Sequence, residues 1–125
     1  MINLLCGSFN ACRLVEGRGL ALLGESMFVA VEMDMAQSDE FHDVFDKMFE
    51  SLRAEFHEKV LYQEHCLHAA YLIDIVPNMK SVPFDPTYPN LAKHLAEILS
   101  VNYKVIGLTL NGVHAELPKE TKCPF

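Results

Sequence analysis

The sequence lacks the features that mark several large classes of protein. It has 10 Lys and Arg against 17 Asp and Glu, which gives a formal net charge of −7. Clustered positive charge, which binds phosphate backbones and anionic lipid surfaces, is therefore missing, and we expect neither a nucleic-acid nor a membrane partner. No apolar run approaches the roughly 20 residues of a membrane-spanning helix. The first residues also lack the basic stretch and long apolar run of a signal peptide.

Cysteine is scarce and irregularly placed. The four cysteines lie at positions 6, 12, 66 and 123, a spacing that fits neither a disulfide framework nor a common zinc motif. We therefore expect reduced thiols in a cytoplasmic protein. No internal repeat, low-complexity tract or linker divides the chain. Its 125 residues, half of them hydrophobic, suit a single domain with one core over residues 1–125.

The most informative segment that is present runs from residue 38 to residue 60. Its apolar residues recur at the three- and four-residue spacing of one helix face. They are Phe41, Val44, Phe45, Met48, Phe49, Leu52 and Phe56. On the opposite face, Asp43 precedes Lys47 by four residues and Glu55 precedes Lys59 by four, which supports a helix. Such a long apolar face needs a broad partner, and a β-sheet can supply one.

The segments around this helix predict a sheet and a second helix. Strands are expected at residues 2–15, 20–35, 69–76, 104–110 and 113–117, and a helix from Thr87, as N-cap, to about residue 102. Asn111-Gly112 indicates a tight turn between the last two strands. We predict an α+β fold in which two helices cover one face of an antiparallel sheet of at least four strands. Open sheet edges favour pairing with copies of the same chain, as a homo-oligomer.

Four segments together resemble one family of enzymes. Residues 83–92, Pro-Phe-Asp-Pro-Thr-Tyr-Pro-Asn-Leu-Ala, are similar to the Asn-Pro-Thr-x-Glu-Asn-Leu-Ala motif that opens the second helix of the 6-pyruvoyl-tetrahydropterin synthase and 6-carboxytetrahydropterin synthase family. Residues 9–13, Phe-Asn-Ala-Cys-Arg, are similar to its Phe-x-Ala-x-His. Residues 22–27, Leu-Leu-Gly-Glu-Ser-Met, are similar to its Leu-His-Gly-His-Asn-Tyr. Residues 56–61, Phe-His-Glu-Lys-Val-Leu, stand where it has Leu-Asp-His-x-x-Leu.

This resemblance implies a fold and a site. The family has the tunnelling fold, in which subunits form a barrel of strands with helices outside and active sites at subunit interfaces, so a trimer or a hexamer is expected. Its members hold a catalytic zinc on three histidines, whose positions here carry Arg13, Leu23 and Glu25. Arginine and leucine cannot coordinate zinc, so we expect no metal and no other cofactor. Glu58 stands at the position of the family's catalytic histidine.

Two hypotheses of function follow. In the first, the protein is a metal-independent lyase or cyclase acting on a small polar molecule, such as a pterin or another heterocycle, with Glu25 as acid, Arg13 as anion anchor and Glu58, beside His57, as base. In the second, the chain is a non-catalytic member that binds a ligand or a related subunit, and Arg13 and Glu25 form a structural ion pair. Charged residues at buried positions are costly to keep without a use, which favours the enzyme.

Other candidate residues carry weaker signals. His65, Cys66 and His68 bring metal-binding atoms close together in sequence. Their spacing fits no common zinc pattern, and neighbours on a strand point to opposite faces, so metal binding there stays an open question. His94 and His114 are expected to be ordinary residues of a helix surface and a strand.

Overall fold

Most of the chain forms one sheet with helices packed against it. The computed structural model describes residues 2–15, 21–34 and 41–116. Its strands are β1 (Ile2–Val15), β2 (Ala21–Asp34), β3 (Val60–Gln63), β4 (Met79–Val82), β5 (Val105–Leu110) and β6 (Val113–Glu116). Its helices are α1 (Phe41–Phe56), α2 (Leu67–Leu72) and α3 (Tyr88–Ser100). None of these helices is long and apolar enough to cross a membrane.

The strands follow the order β4-β3-β1-β2-β5-β6 across the sheet. β1 and β2 form a long antiparallel hairpin, from Ile2 opposite Asp34 to Val15 opposite Ala21. β5 pairs antiparallel with β2, and β6 pairs antiparallel with β5. β3, however, runs parallel to β1, and β4 runs parallel to β3. The sheet is therefore mixed, not purely antiparallel as predicted, because the chain leaves α1 in the direction of β1 and β3 continues that direction.

Both long helices pack on one face of the sheet. Their buried residues are Met48, Phe49, Leu52 and Phe56 in α1 and Leu91, Ala92, Leu95, Ala96 and Leu99 in α3. The same core contains alternate residues of the central hairpin, namely Leu5, Phe9, Ala11, Met27, Val29, Val31 and Met33. α1 approaches β1 closely at Gly7, where a Cβ atom would come within 2.5 Å of the Phe49 ring. This arrangement agrees with the predicted α+β fold.

Residues 57–83 differ most from the prediction. Residues 69–76, expected as a strand, lie in α2 and the turns after it, and β3 and β4 lie on either side of them. A short apolar run is ambiguous between helix and strand. Here Leu67, Tyr71 and Ile75 recur every four positions, which is helical spacing, and all three are exposed. β4 falls where a loop was expected, because its pairing with β3 depends on contacts that short segments do not encode.

The predicted first helix is shorter than expected. α1 ends at Phe56, four residues before the predicted end. The pair between Asp43 and Lys47 is present, with Nζ 3.1 Å from Oδ2. The sequence pairs Glu55 with Lys59, but the helix ends at Phe56, before it reaches Lys59. Glu55 Oε1 lies 3.9 Å from the Nζ of Lys80.

The second predicted helix and the last hairpin follow their local signals. Thr87 precedes α3 with the extended backbone of an N-cap, φ −78° and ψ 163°, although its side chain makes no capping hydrogen bond. The helix ends at Ser100, two residues before the predicted end. Asn111 and Gly112 have φ values of 46° and 85°, as a tight hairpin turn requires. Residues 16–19, which the sequence places between the first two strands and whose two glycines indicate a turn, lie outside the described residues.

Candidate functional site

An open cavity of about 500 Å³ lies where the β1–β2 hairpin meets the turn after α1. It is lined by Asn10, Ala11, Cys12, Gly24, Glu25, Ser26 and Glu58. The hairpin register explains this grouping, since the pairs Asn10 and Ser26, Ala11 and Glu25, and Cys12 and Gly24 lie directly opposite each other. The cavity wall is thus one short section of the hairpin, completed by Glu58. Its size suits a small molecule, because ligand pockets typically measure about 300–1,000 Å³.

Glu25 is fixed on this wall through both of its carboxylate oxygens. Arg13 Nε donates to Oε1 over 2.6 Å, and the Tyr88 hydroxyl donates to Oε2. Arg13 also donates from Nη1 to the Pro86 carbonyl over 3.0 Å, and its guanidinium carbon lies 4.1 Å from the centre of the Tyr88 ring. Arg13 is only 6% exposed, so these contacts satisfy a buried cation. The network joins β1 and β2 to the start of α3.

This geometry bears on the roles expected for the two residues. Glu25 accepts hydrogen bonds at both oxygens on the helix side of the sheet, so its carboxylate is committed to Arg13 and Tyr88 and is poorly placed to give up a proton. Arg13 lies behind Glu25 and is not one of the lining residues. Its position favours holding Glu25 over binding an anion directly. Leu23 lies opposite Arg13 in the hairpin, and its side chain is outside the described part of the structure.

Glu58 reaches the cavity from a turn that is tied to β1. The Asn10 N–H donates to His57 Nδ1 over 3.1 Å, and the Glu58 N–H donates to the Asn10 carbonyl over 2.6 Å. The Ser26 hydroxyl donates to Asn10 Oδ1 over 2.9 Å. Because Nδ1 accepts, neutral His57 carries its proton on Nε2, which lies 3.6 Å from Glu58 Oε1. His57 therefore lies beside Glu58, and Glu58 is the member of the pair that lines the cavity.

The backbone at Glu58 is strained. Its φ of 61° is in the left-handed region, which costs a residue other than glycine about 1–2 kcal/mol. The side chain is 74% exposed, so tight packing does not account for a glutamate at this position. Residues held in such conformations cluster at functional sites, where the surrounding contacts enforce the geometry. The strain therefore directs attention to Glu58 as the reactive group of the cavity.

The histidines and cysteine after β3 lie apart from this cavity. His65 is exposed and has a φ of 65°, Cys66 precedes α2, and the His68 side chain is outside the described part of the structure. Within the described ranges, no three His, Cys, Asp or Glu side chains converge in a way that could hold a metal ion.

His94 and His114 were both expected to be ordinary residues, and the structure agrees with that prediction for His114 alone. His94, expected on the surface of a helix, is half-buried, with its ring 6.3 Å from Phe56 and 5.0 Å from Phe84, both in edge-on contact. Burial lowers the pKa of His94 below its ordinary value. The surface prediction was wrong because α3 turns this side towards the end of α1. His114 lies on β6, as expected, 3.5 Å from a carboxylate on each side.

Sequence reasoning missed three residues of the site, namely Asn10, Ser26 and Tyr88. Asn10 and Ser26 lie within the quoted segments, and strand alternation was the available signal, because it places them on one face across the hairpin. Tyr88 gave no comparable signal. It follows Glu25 by 63 positions, and its contact depends on how α3 packs against the sheet.

Comparison with known proteins adds information on the fold alone. No protein-family model matches the sequence, and none of the curated proteins is similar to it. Among solved structures, the fold is similar to that of an uncharacterized protein from Wolinella succinogenes, with a TM-score of 0.63 and 13% sequence identity. The alignment covers 95% of this chain and 99% of that chain. None of these comparisons connects the chain to the pterin synthase family, so that resemblance rests on the sequence motifs.

Proposed function

We propose that the protein is a metal-independent enzyme of the lyase or cyclase type, acting on a small polar metabolite, such as a pterin or another heterocycle, in the cavity between the β1–β2 hairpin and Glu58. The observation that carries the proposal is the position of Glu58, a strained and solvent-facing glutamate at a cavity that Glu25 also lines. A carboxylate at a cavity can accept a proton, which is one of the transfers that elimination and cyclisation require.

The two carboxylates have different roles in this proposal. Glu58 accepts a proton from the bound substrate, because its carboxylate faces the cavity and is largely exposed. Glu25 supports this section of the hairpin from the helix side of the sheet and does not take part in the proton transfer. Arg13 and Tyr88 position Glu25 through the contacts to its two oxygens. His57, next to Glu58, lies close enough to reorient its Nε2–H towards the carboxylate.

A non-catalytic ligand-binding protein is the second candidate. The observation that favours it is the engagement of both Glu25 oxygens by Arg13 and Tyr88. Among the described lining residues, this leaves Glu58 as the carboxylate that can exchange a proton. Elimination and cyclisation need a proton donor as well as an acceptor. A cavity with one such group is sufficient for binding.

Native mass spectrometry of the purified protein, with identification of any released molecule, tests the binding that both candidates share. We expect one small molecule per chain. Incubation of that molecule with the protein then separates the candidates, because only the enzyme converts it to a new product. Glu58→Gln is expected to keep binding and to lower turnover by about 100-fold or more. Glu64→Gln, at an exposed position outside the cavity, is the matched control.

The results divide clearly between the candidates. Binding without a product supports the non-catalytic protein. Turnover that Glu58→Gln leaves unchanged excludes Glu58 as the base. A purified protein that holds no molecule, and binds none from a metabolite extract, contradicts both candidates.

We also propose that the chain works as a homo-oligomer, a trimer or a hexamer. On the sheet face away from the helices, Phe28 is 64% exposed and Leu4 is 60% exposed. β4 and β6 are the edges of the described sheet, where backbone groups can pair with another chain. Sedimentation velocity tests this proposal: Phe28→Ser should weaken the assembly, whereas Leu67→Ser, also exposed but on α2, should not. A stable wild-type monomer at micromolar concentration would contradict it.

A further inference from the structure

We infer that the molecule bound in this cavity carries a positive charge, as a small organic amine or amidine does. The inference deepens the proposed function and rests on it in taking the cavity as the binding site. It starts from the charges on the cavity wall. Among the described lining residues, Glu25 and Glu58 are the charged ones, and the Glu25 carboxylate is bound by Arg13 and Tyr88 on the helix side of the sheet.

The nearest arginine does not offer its charge to a ligand. Arg13 is 6% exposed, and its Nε and Nη1 donate to Glu25 and to the Pro86 carbonyl. One face of its guanidinium lies on the Tyr88 ring. The positive charge of Arg13 is therefore neutralised by Glu25, and the pair presents little net charge to the cavity.

Arg53, a second arginine in the described part of the chain, is also engaged. Arg53, in the last turn of α1, donates from Nε to the Ser8 carbonyl over 3.1 Å. Glu58 then keeps an uncompensated negative charge at the cavity. Its described neighbour is the Nε2 of His57, at 3.6 Å, which is a neutral ring in the tautomer that accepts from Asn10.

The Ser26 hydroxyl adds an acceptor to the wall, beside the Asn10 amide, which can donate from Nδ2. The Ser26 hydroxyl uses its proton on Asn10 Oδ1, so its remaining capacity at the cavity is as an acceptor. With the Glu58 carboxylate, these acceptors match a ligand that carries several N–H groups and a positive charge. An anion would meet Glu58 without a compensating cation among the described lining residues.

Three small probes of matched size test this inference by titration of the ¹⁵N-labelled protein, followed in ¹H–¹⁵N spectra. Methylguanidinium is the cation, N-methylurea is its neutral counterpart of nearly the same shape, and acetate is the anion. We expect methylguanidinium to shift the backbone amides of Asn10, Ser26 and Glu58 in a saturable way. N-methylurea should bind at least about tenfold more weakly, because it lacks the charge-assisted hydrogen bond to Glu58.

Two variants complete the test. Glu58→Gln should weaken methylguanidinium binding about tenfold and remove the preference over N-methylurea, whereas Glu64→Gln should change neither. Unshifted amides elsewhere in the Glu58→Gln spectrum show that the fold is intact. Equal binding of the two isosteric probes, stronger binding of acetate, or no binding by any probe overturns the inference.

Failure of this inference is distinguishable from failure of the proposed function. A neutral or anionic molecule that co-purifies with the protein and shifts the amides of the cavity overturns the positive charge of the ligand and leaves the binding site in place. A molecule that binds elsewhere, with the cavity amides unshifted, contradicts the proposed function itself.

Discussion

Replacement of Glu58 by glycine is expected to stabilise the protein while it removes ligand binding. The left-handed backbone at this position, with φ 61°, costs about 1–2 kcal/mol that glycine avoids. Glycine also gains freedom in the unfolded chain, which offsets about 0.4–1 kcal/mol of that benefit. The hydrogen bond from the residue 58 N–H to the Asn10 carbonyl is kept, because it involves the backbone. The exposed side chain contributes little packing, so the net gain is about 0.5–1 kcal/mol.

Urea unfolding at a fixed protein concentration measures this change in the free energy of unfolding, since the stability of an oligomer depends on concentration. His65→Gly is the matched control, because His65 has a φ of 65° and is exposed outside the cavity. It should give a similar gain and leave binding unchanged. Glu58→Gln keeps the strained backbone and should therefore give no gain in stability. If His65→Gly stabilises the protein and Glu58→Gly destabilises it, the reasoning is refuted, because the Glu58 side chain would then be a structural element.

Four further outcomes are expected. Arg13→Met should lower the free energy of unfolding by about 2–3 kcal/mol. This loss is smaller than for a fully buried ion pair, because Glu25 is partly exposed. A loss under about 1 kcal/mol in urea unfolding would contradict this. Phe56→Ala, at a side chain that is 1% exposed, should cost about 3 kcal/mol or more in the same assay. Burial lowers the pKa of His94. The stability that the neutral His94 ring contributes is therefore complete above about pH 6.5, and it is lost as the pH falls through the folded-state pKa. His94→Gln should flatten that part of the pH profile of the urea midpoint. Elemental analysis after expression with zinc supplied should find no stoichiometric zinc, because Arg13 and Leu23 offer no ligand atom, and one zinc per chain would contradict this.

The elements that could be predicted from the sequence are those whose signal is local. The β1–β2 hairpin, α1, α3 and the Asn111-Gly112 turn each carry their own periodicity or turn residues, and their bounds agree with the prediction to within a few residues. β3 and β4 have four residues each, which is too short for a periodic pattern. β4 pairs parallel with β3 through the crossover that contains α2, and β3 pairs parallel with β1 because of the path of α1 over the hairpin. That path is a tertiary feature that no single segment encodes.

The site divides along the same line. Arg13 and Glu25 were found because they stand at positions of recognisable segments, and their pairing follows from strands that the sequence predicts. The two hydrogen bonds that tie the turn at Glu58 to Asn10 were not predictable. They join backbone groups of Asn10 to His57 and Glu58, which are 47 and 48 positions later in the chain. Backbone donors and acceptors are present at nearly every residue, so their partners cannot be identified from residue type. The strained φ of Glu58 is hidden for the same reason.

The two carboxylates of the cavity differ in what holds them, and this difference separates stability from chemistry. Glu25 is held by side chains from β1 and α3, so a change there alters the fold and the site together. Glu58 is held by its backbone, so its carboxylate can be replaced with the surrounding structure intact. The side chain that neutralises Glu25 is Arg13, whose Nε lies 2.6 Å from Oε1. Here the positive charge belongs to the chain itself and is committed to Glu25. Glu58 is therefore the carboxylate that we propose for proton transfer in this cavity, and the Glu58→Gln variant tests that proposal.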